Sequence, residues 1–224
     1  MAYLSEADHK VVSDAVTEAE LSTSGEIVPV IADRSDGYSD VVLVYAAGLA
    51  FTAMSLFAAF PDFALGMVDA LSGGWSGELR PAEIVAWAVG FGLVTFLAFW
   101  ALLGWDPLRF AVIPSPIKRQ RVTERAIRHF KVGAEGRTHG KTGVLLYLSM
   151  REHRAEIVAD DSIADLVPAE VWGEAMADML VEIRKGAVAE GIAAGVRDVG
   201  QVLSEHFPRG HDDENELPDR LIEV

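Results

Sequence analysis

Three aspartates lie directly after the second strand of a predicted β-hairpin, at the point where the chain turns towards a helix: Asp160, Asp161 and Asp165. Carboxylate oxygens are hard ligands that suit Ca²⁺ or Mg²⁺, and the end of a strand is a usual place for sites in open α/β layers. Aspartate and serine also make turns and cap helices without any ligand. The acidic loop is therefore a candidate metal site, with an ordinary capping turn as the alternative.

Other catalytic machinery is not indicated by the sequence. The chain has no cysteine, which excludes a thiolate nucleophile and a Cys-ligated metal. Its histidines do not form a ligand pair at helical spacing, and no Gly-x-Ser-x-Gly motif is present. Gly140-Lys141-Thr142 resembles the end of a phosphate loop, but Glu135 occupies the place of the first glycine. We therefore expect no nucleotide and no cofactor beyond a divalent cation.

The net charge of −15 argues against nucleic-acid binding, because contacts to phosphates need clustered Lys and Arg. This charge is unevenly distributed. Residues 106–141 contain nine Lys or Arg and three acids, whereas residues 209–224 contain two Arg and six acids. The first segment is therefore a basic region, and the second is expected to be a disordered acidic tail.

The elements that must position the acidic loop follow an α/β pattern. A helix over 4–22 begins at Ser5, with Asp8 completing a capping box. The apolar run Glu26–Ala32 is typical of a buried strand, and Pro29 indicates an edge position or a bulge because proline cannot donate to a ladder. Further predicted elements are a basic helix over 118–132, hairpin strands over 143–149 and 155–159, and helices over 169–185 and 187–206. Glycines in the last helix indicate close packing against a sheet.

Two apolar spans, 41–60 and 84–105, contain no Lys, Arg, Asp or Glu. A helix of about 20 residues, rising about 1.5 Å per residue, crosses a hydrocarbon core of about 30 Å. A pair of buried core helices is the alternative. Proton relays and ion pathways need ionisable side chains within the membrane, so we interpret the pair as a membrane anchor rather than a pathway.

The basic region after the second span predicts the orientation of this hairpin. Positive charge flanking a short span marks the cytoplasmic side. Two crossings then place both termini in the cytoplasm and residues 61–83 outside, in a two-pass protein of the bacterial inner membrane. The lipid bilayer is the first expected partner.

Several stretches in order resemble the TPM domain family. They are Glu26–Ala32 after the first helix, Gly143-Val-Leu-Leu-Tyr-Leu-Ser149, Ala155-Glu-Ile-Val, Asp160-Asp161-Ser-Ile-Ala-Asp165, and Lys185-Gly-Ala-Val-Ala-Glu-Gly191-Ile-Ala-Ala-Gly195. The resemblance covers about residues 3–35 and 118–207. It implies an α/β fold, a three-layer α/β/α sandwich with a small central sheet, interrupted here by the inserted transmembrane hairpin. The predicted segments are 1–37 and 118–207 for the domain, 41–60 and 84–105 for the spans, 61–83 for the loop and 208–224 for the tail.

The resemblance also implies two functions. Members of the family are associated with membranes. Some act as accessory or repair factors for membrane complexes, and some have a reported acid-phosphatase activity with divalent-metal binding. This chain is thus expected to be an accessory or assembly factor of an unidentified membrane protein complex, or alternatively a metal-dependent phosphatase that uses Asp160, Asp161 and Asp165. It departs from the family at the acidic loop, where Ala159-Asp160-Asp161-Ser162-Ile163 replaces the usual Gly-x-Gly-Leu-Glu.

Overall fold

A computed structural model describes residues 4–74, 79–135, 138, 140–210 and 215–224. The chain divides into two compact units. The α/β unit combines Met1–Asp36 with Ser115–Val224, and the hairpin unit is Gly37–Pro114. The hairpin unit is therefore an insertion in the chain of the α/β unit, as the sequence predicts.

The elements, in chain order, are α1 (Glu6–Glu20), β1 (Glu26–Ala32), α2 (Ser39–Ala59), α3 (Pro61–Leu71), α4 (Pro81–Leu102), α5 (Asp106–Val112), α6 (Ser115–Gly133), β2 (Gly143–Ser149), β3 (Arg154–Ala159), α7 (Asp161–Ala164), α8 (Ala169–Arg184), α9 (Val188–His206) and β4 (Ile222–Glu223). The capping box of α1 is formed: the Asp8 amide donates to Ser5 Oγ at 3.2 Å, and the Ser5 amide donates to Asp8 Oδ2 at 2.8 Å.

The α/β unit is built on a four-stranded sheet of order β3-β2-β1-β4. Strands β1 and β2 are parallel, with Ile27 opposite Val144, and β2 and β3 form the predicted antiparallel hairpin. Residues Val122, Ala126 and Phe130 of α6 are buried against one face of the sheet. Helices α1, α8 and α9 cover the other face. The predicted three-layer α/β/α sandwich with a small central sheet is confirmed.

Strand β1 is not at the edge of the sheet, contrary to the expectation from Pro29. It lies between β2 and β4, but β4 pairs only with Val30 and Ile31. The amide of Ile27 points away from β2 and donates to the Glu20 side chain at 2.9 Å. Pro29 lies two residues after Ile27, so its missing donor also falls on the side of β1 away from β2, where β4 pairs with Val30 and Ile31 and does not extend to Pro29. The proline therefore removes no ladder hydrogen bond.

Glycines of α9 allow close contacts, as predicted, but mainly with other helices rather than with the sheet. A Cβ added at Gly200 would lie 2.6 Å from Cβ of Ala19 on α1. One added at Gly191 would lie 2.9 Å from the carbonyl oxygen of Met179 on α8. Close approach of three helices, rather than contact with the strands alone, therefore explains glycine in this helix.

The C-terminal segment is ordered over 215–224, where the sequence predicts disorder; residues 211–214 lie outside the described residues. Strand β4 pairs with β1, and Leu217 is buried. The Glu26 carboxylate accepts hydrogen bonds from the Glu216 and Leu217 amides at 3.2 and 3.1 Å. Backbone donors and an apolar contact hold this acidic segment, which charge composition alone does not reveal.

In the hairpin unit, α2 and α4 pack side by side. Ala46 and Ala50 are buried on α2, and a Cβ added at Gly92 of α4 would lie 2.6 Å from the Met54 side chain. The small residues at four-residue spacing thus face the partner helix. The segment 61–83 is not a simple loop, because it contains helix α3, whose Ala64 and Val68 are buried near Phe57. Residues 75–78 lie outside the described residues.

Arg109 of α5 caps the end of α4. Its guanidinium donates to the carbonyl oxygens of Leu103, Gly104 and Gly37 at 3.1, 2.9 and 2.9 Å. A cation at the C-terminal end of a helix satisfies carbonyl groups that have no partner within the helix and complements the helix dipole. One of the basic residues behind the predicted orientation therefore also has a structural role.

Candidate functional site

Asp160 of the acidic loop is buried and already engaged by the sheet. Its Oδ2 accepts a hydrogen bond from the Gly143 amide at 3.0 Å, and its own amide donates to the Gly143 carbonyl at 3.0 Å. Its carbonyl oxygen accepts the Ile163 amide at 3.0 Å at the start of α7. Asp160 therefore joins the end of β3 to the start of β2 and begins the following helix.

The other two aspartates are exposed. Asp161 lies in the first turn of α7, and Asp165 is the residue at its C-terminal cap. Among the described residues, no three or more His, Asp or Glu side chains are close enough to hold a metal ion. Asp160 stands at the N-cap of α7, but its side chain bonds the Gly143 amide instead of capping the helix, so the loop is held as a turn on the sheet. Ca²⁺ or Mg²⁺ at Asp160, Asp161 and Asp165 stays a prediction.

A second group of polar residues, which sequence reasoning missed, lies at the carboxyl ends of the parallel strands β1 and β2. We call Ser35, Tyr147, Ser149 and Glu152 the strand-end cluster; all four are buried. The Ser35 amide donates to Glu152 Oε1 at 3.0 Å. Ser35 Oγ donates to Ser149 Oγ at 3.0 Å, and Ser149 Oγ donates to Glu152 Oε2 at 2.5 Å. The Tyr147 hydroxyl lies 3.1 Å from Ser35 Oγ.

The direction of the protons follows from the carboxylate at the end of this chain. Each hydroxyl carries one proton and can donate one hydrogen bond. Ser149 donates to Glu152, and Ser35 donates to Ser149. Tyr147 must then donate to Ser35. Burial raises the pKa of Tyr147, which keeps the phenol protonated as this arrangement requires. The cluster is a directional relay of hydrogen bonds that ends on Glu152.

Helix α6 covers the relay with basic and aromatic side chains. Arg125 lies beside the Tyr147 side chain, where its charge opposes the rise in the pKa of the phenol. The His129 ring stacks on Tyr147 with centroids 5.7 Å apart and planes at 21°. Burial, with the neighbouring Arg125, lowers the pKa of His129. The imidazole is therefore neutral at pH 7, and the positive charge at this position belongs to the arginines.

A small polar cavity of about 140 Å³ opens beside the cluster. Its lining is Ser35, Asp36, Arg121, Glu124, Arg125 and Arg128. Arg121 Nε lies 3.2 Å from Asp36 Oδ2, and Arg121 Nη1 lies 4.0 Å from Glu124 Oε2. Arg125 and Arg128 are exposed on the same side of α6. The cavity thus joins a buried hydrogen-bonded floor to a rim of arginines.

The sequence carried a weak signal for this cluster. Ser149 and Glu152 bracket the end of the strongest predicted strand, and Ser35 closely follows β1. Carboxyl ends of parallel strands meet at one edge of a sheet, so a parallel pairing of β1 and β2 brings these residues together. The sequence does not reveal this pairing, because the hairpin unit separates the two strands in the chain.

Comparisons with known proteins agree with this fold. Residues 107–202 match the sequence model of the TPM domain. The solved NMR structure of the BA42 protein, from the psychrophilic bacterium Bizionia argentinensis, is similar to this chain with a TM-score of 0.57 and 17% sequence identity. The alignment covers 100% of this chain and 97% of BA42. A search of curated proteins found no match.

Residues 107–202 are thus similar to the TPM domain, and the likeness to BA42 shows that the chain as a whole has the same kind of fold. The matched residues run from α5 to α9 and include the hairpin strands and the acidic loop. They leave α1, β1 and most of the hairpin unit outside the match. Of the strand-end cluster, Tyr147, Ser149 and Glu152 lie within the match, whereas Ser35, which follows β1, lies outside it.

Proposed function

We propose that this protein is a two-pass membrane protein whose TPM domain acts as an accessory or assembly factor for a membrane protein complex. The observation that carries the proposal is the exposure of α4. Of its 22 described residues, Gly92 alone is buried. Leu93, Val94 and Leu97 are at least half exposed although the helix has no ionisable residue after Glu83. Such a surface is stable in hydrocarbon and unfavourable in water.

A buried core helix is the alternative explanation for two long apolar helices. A core helix is covered by its own domain, whereas α2 of this hairpin buries only Val42, Ala46, Ala50 and Phe57 among its 21 residues. The contact between α2 and α4 covers one stripe of each helix and leaves the remaining circumference apolar. This pattern supports membrane insertion.

We further propose that both termini are cytoplasmic, that α3 lies on the outer side, and that the membrane is a bacterial inner membrane. Lys118, Arg119, Arg121, Arg125 and Arg128 all follow the second span and lie in α6. Positive charge near the end of a span favours retention on the cytoplasmic side.

An accessory role, rather than catalysis, is supported by how the polar groups of the α/β unit are used. Asp160 is bonded to Gly143, and the hydroxyls of the strand-end cluster are bonded to one another and to Glu152. These hydrogen bonds hold strands and turns of the domain in place. Such a rigid domain can present its surface to a neighbouring membrane protein.

The absence of cysteine allows a direct test of topology. Single cysteines are introduced at Ala70 of α3 and at Glu205 of α9, both exposed positions. In intact spheroplasts, a membrane-impermeant maleimide should label Ala70→Cys and should label Glu205→Cys only after lysis. Labelling of Glu205→Cys before lysis would overturn the orientation. Extraction of either variant by carbonate would overturn membrane insertion itself.

The accessory role is tested by deleting the gene and following membrane complexes on native gels. We expect at least one complex to fall in abundance and to be restored by the full chain. An Asp161→Asn, Asp165→Asn double variant is the matched control because both carboxylates are exposed, and we expect it to restore the complex as well. Rescue that depends on these two carboxylates and on added Ca²⁺ or Mg²⁺ would instead support the metal-dependent alternative.

A further inference from the structure

The cavity beside the strand-end cluster has the features of a binding site for an anionic group. Three of its six lining residues are arginines, Arg121, Arg125 and Arg128, and its two acids lie next to Arg121. Arg125 and Arg128 are three residues apart on α6, so their side chains leave the helix on the same side. Two guanidinium groups at this spacing can donate to the oxygens of one phosphate.

Arg125 lies beside the buried cluster before any ligand arrives. Its guanidinium, which has five N–H donors, lies next to the Tyr147 side chain and lines the cavity with Ser35. Tyr147 is in turn fixed by Ser35, Ser149 and Glu152, with Ser149 and Tyr147 fully buried. A guanidinium that lies beside a fixed side chain loses less conformational freedom on binding. The buried relay therefore has a consequence at the surface, because it gives the arginine above it a fixed neighbour.

The size of the cavity selects a small group rather than a whole metabolite. A volume of about 140 Å³ is well below the range of roughly 300–1,000 Å³ that is typical of sites enclosing a drug-sized ligand. It has room for a phosphate with its attached oxygens, while the rest of the ligand lies outside. A lipid headgroup meets this requirement, because its phosphodiester is small and its glycerol and acyl chains extend away.

The position of α6 in the chain favours a lipid as the source of this phosphate. Helix α6 begins at Ser115, 13 residues (115 − 102) after the end of α4 at Leu102. Basic segments close in sequence to a membrane span are attracted to anionic lipids by about 1 kcal/mol per Lys or Arg near the surface. This step rests on the proposed function, since it requires α4 to be in the membrane.

We propose that Arg125 and Arg128, at the rim of the cavity whose base is formed by Ser35, bind the phosphodiester headgroup of an anionic phospholipid. The lipid is phosphatidylglycerol-like: it carries a net negative charge and has no positive group to offset the phosphate. Phosphatidylcholine, whose headgroup carries a compensating cation, binds more weakly. Arg121, held by Asp36, narrows the cavity and contributes to the positive potential.

The experiment uses the full chain in non-ionic detergent, with bound lipids counted by native mass spectrometry during titration with phosphatidylglycerol or phosphatidylcholine. We expect one phosphatidylglycerol to bind preferentially. Arg125→Gln and Arg128→Gln should each weaken that binding about tenfold, in keeping with the loss of a charge-assisted hydrogen bond. Arg128→Lys should weaken it less, because the charge remains while the paired donors are lost.

Arg184→Gln is the matched control, because it removes one exposed positive charge from α8 on the opposite face of the sheet. An equal loss of binding in Arg184→Gln and Arg128→Gln would show diffuse attraction and overturn the proposal. Inorganic phosphate that binds as tightly as the lipid and displaces it would also overturn it, in favour of a free-anion site. Arg128→Gln is informative even if Arg125→Gln misfolds, because Arg128 is exposed.

Failure of this proposal is distinguishable from failure of the proposed function. Lipid binding is measured in detergent and does not depend on which side of the membrane the α/β unit occupies. Cysteine labelling measures that side and does not depend on lipid binding. Correct topology with no preference for phosphatidylglycerol would overturn the lipid site alone.

Discussion

The α/β unit and the hairpin unit use the same kinds of apolar residue in opposite ways. In the α/β unit, Val12, Ile192 and Leu203 are almost completely buried between the sheet and the helices. In the hairpin unit, Leu93 and Val94 are 57% and 64% exposed. Burial of apolar surface stabilises a fold in water by about 25 cal/mol per Å². The hairpin makes little use of this effect within its own chain, and its exposed apolar surface is the surface that the proposed membrane insertion would cover.

The two units also differ in how they treat ionisable groups that are away from water. The α/β unit buries carboxyl groups such as Glu20 and Glu152 and gives them hydrogen-bond donors. The apolar spans of the hairpin unit contain no ionisable residue. A polar group with no water nearby must find its hydrogen-bond partners within the protein. The α/β unit meets this condition by pairing its buried carboxyl groups. The hairpin unit meets it because its apolar spans contain no ionisable residue.

The largest expected effect comes from removing the same side chain in the two units. Leu203→Ala in the α/β core should lower the free energy of unfolding by about 2–5 kcal/mol, because it leaves a cavity between α9 and its neighbours. Leu93→Ala in α4 should change it by less than about 1 kcal/mol, because that side chain faces outward. Thermal unfolding of both variants in detergent measures the difference.

Equal losses in Leu203→Ala and Leu93→Ala would contradict this comparison. They would indicate that α4 is covered by protein rather than by lipid or detergent, as a core helix is.

The next largest expected effect is on the membrane insertion of α4 rather than on the stability of the fold. Val94→Arg in α4 should raise the cost of membrane insertion by about 2.5–3.5 kcal/mol, the value for Arg at the centre of a span. Val181→Arg on α8, where the valine is 46% exposed, is the control and should have no effect on insertion. The fraction of each variant in carbonate-washed membranes measures the result. A soluble, folded Val94→Arg protein would show that α4 does not need the membrane.

A pH effect should be confined to the α/β unit. Burial raises the pKa of Glu20 to about 9 from 4.5, with Glu26 and Asp219 adding repulsion. The folded state then keeps a proton that the unfolded state releases between pH 4.5 and 9, so the free energy of unfolding falls as pH rises across that window. The slope is at most about 1.4 kcal/mol per pH unit.

Glu20→Gln should remove the part of the slope that Glu20 contributes, because the amide oxygen can still accept the Ile27 amide while carrying no titratable proton. Glu26, whose pKa burial also raises, still titrates in the variant. Unfolding in detergent at several pH values between 5 and 9 gives the measurement. If the variant and the wild type have parallel pH profiles, Glu20 is ionised in the folded state and the interpretation is wrong.

The smallest effect concerns the acidic loop. Asp160→Asn should lower the free energy of unfolding by about 1–3 kcal/mol, because it weakens a charge-assisted hydrogen bond to the buried Gly143 amide. We expect the same loss in EDTA and in Ca²⁺, measured by thermal unfolding. A stabilisation of the wild type by Ca²⁺ that is absent in the variant would support the predicted metal site.

Local patterns predicted much of the fold. The capping box at Ser5 and Asp8, the hairpin strands and the helices α8 and α9 depend on neighbours in sequence, and the structure has all of them. Helix α3 and strand β4 were missed because both lie in segments with turn residues or high charge. Strand β4 exists because β1 offers it a partner, and Glu26 holds the segment beside it.

The candidate site was less predictable than the fold. The aspartates of the acidic loop are conspicuous in sequence, but they do not converge into a metal-binding group in the described part of the chain. The strand-end cluster converges from Ser35 and Tyr147, whose proximity depends on a parallel pairing across the inserted unit. Long-range pairing carries no local signal, which explains why the sequence did not indicate the strand-end cluster, while the metal site at the aspartates stays a prediction.

The place of the insertion also sets the order in which the protein can be made. Ile27 of β1 pairs with Val144 of β2, 117 residues later (144 − 27), and the whole hairpin unit is synthesised in between. At about 5–20 residues per second, β1 emerges roughly 6 to 23 seconds before its first sheet partner exists. An unpaired apolar strand attracts other chains, so we expect α1 or a chaperone to shield β1 while the hairpin unit is synthesised.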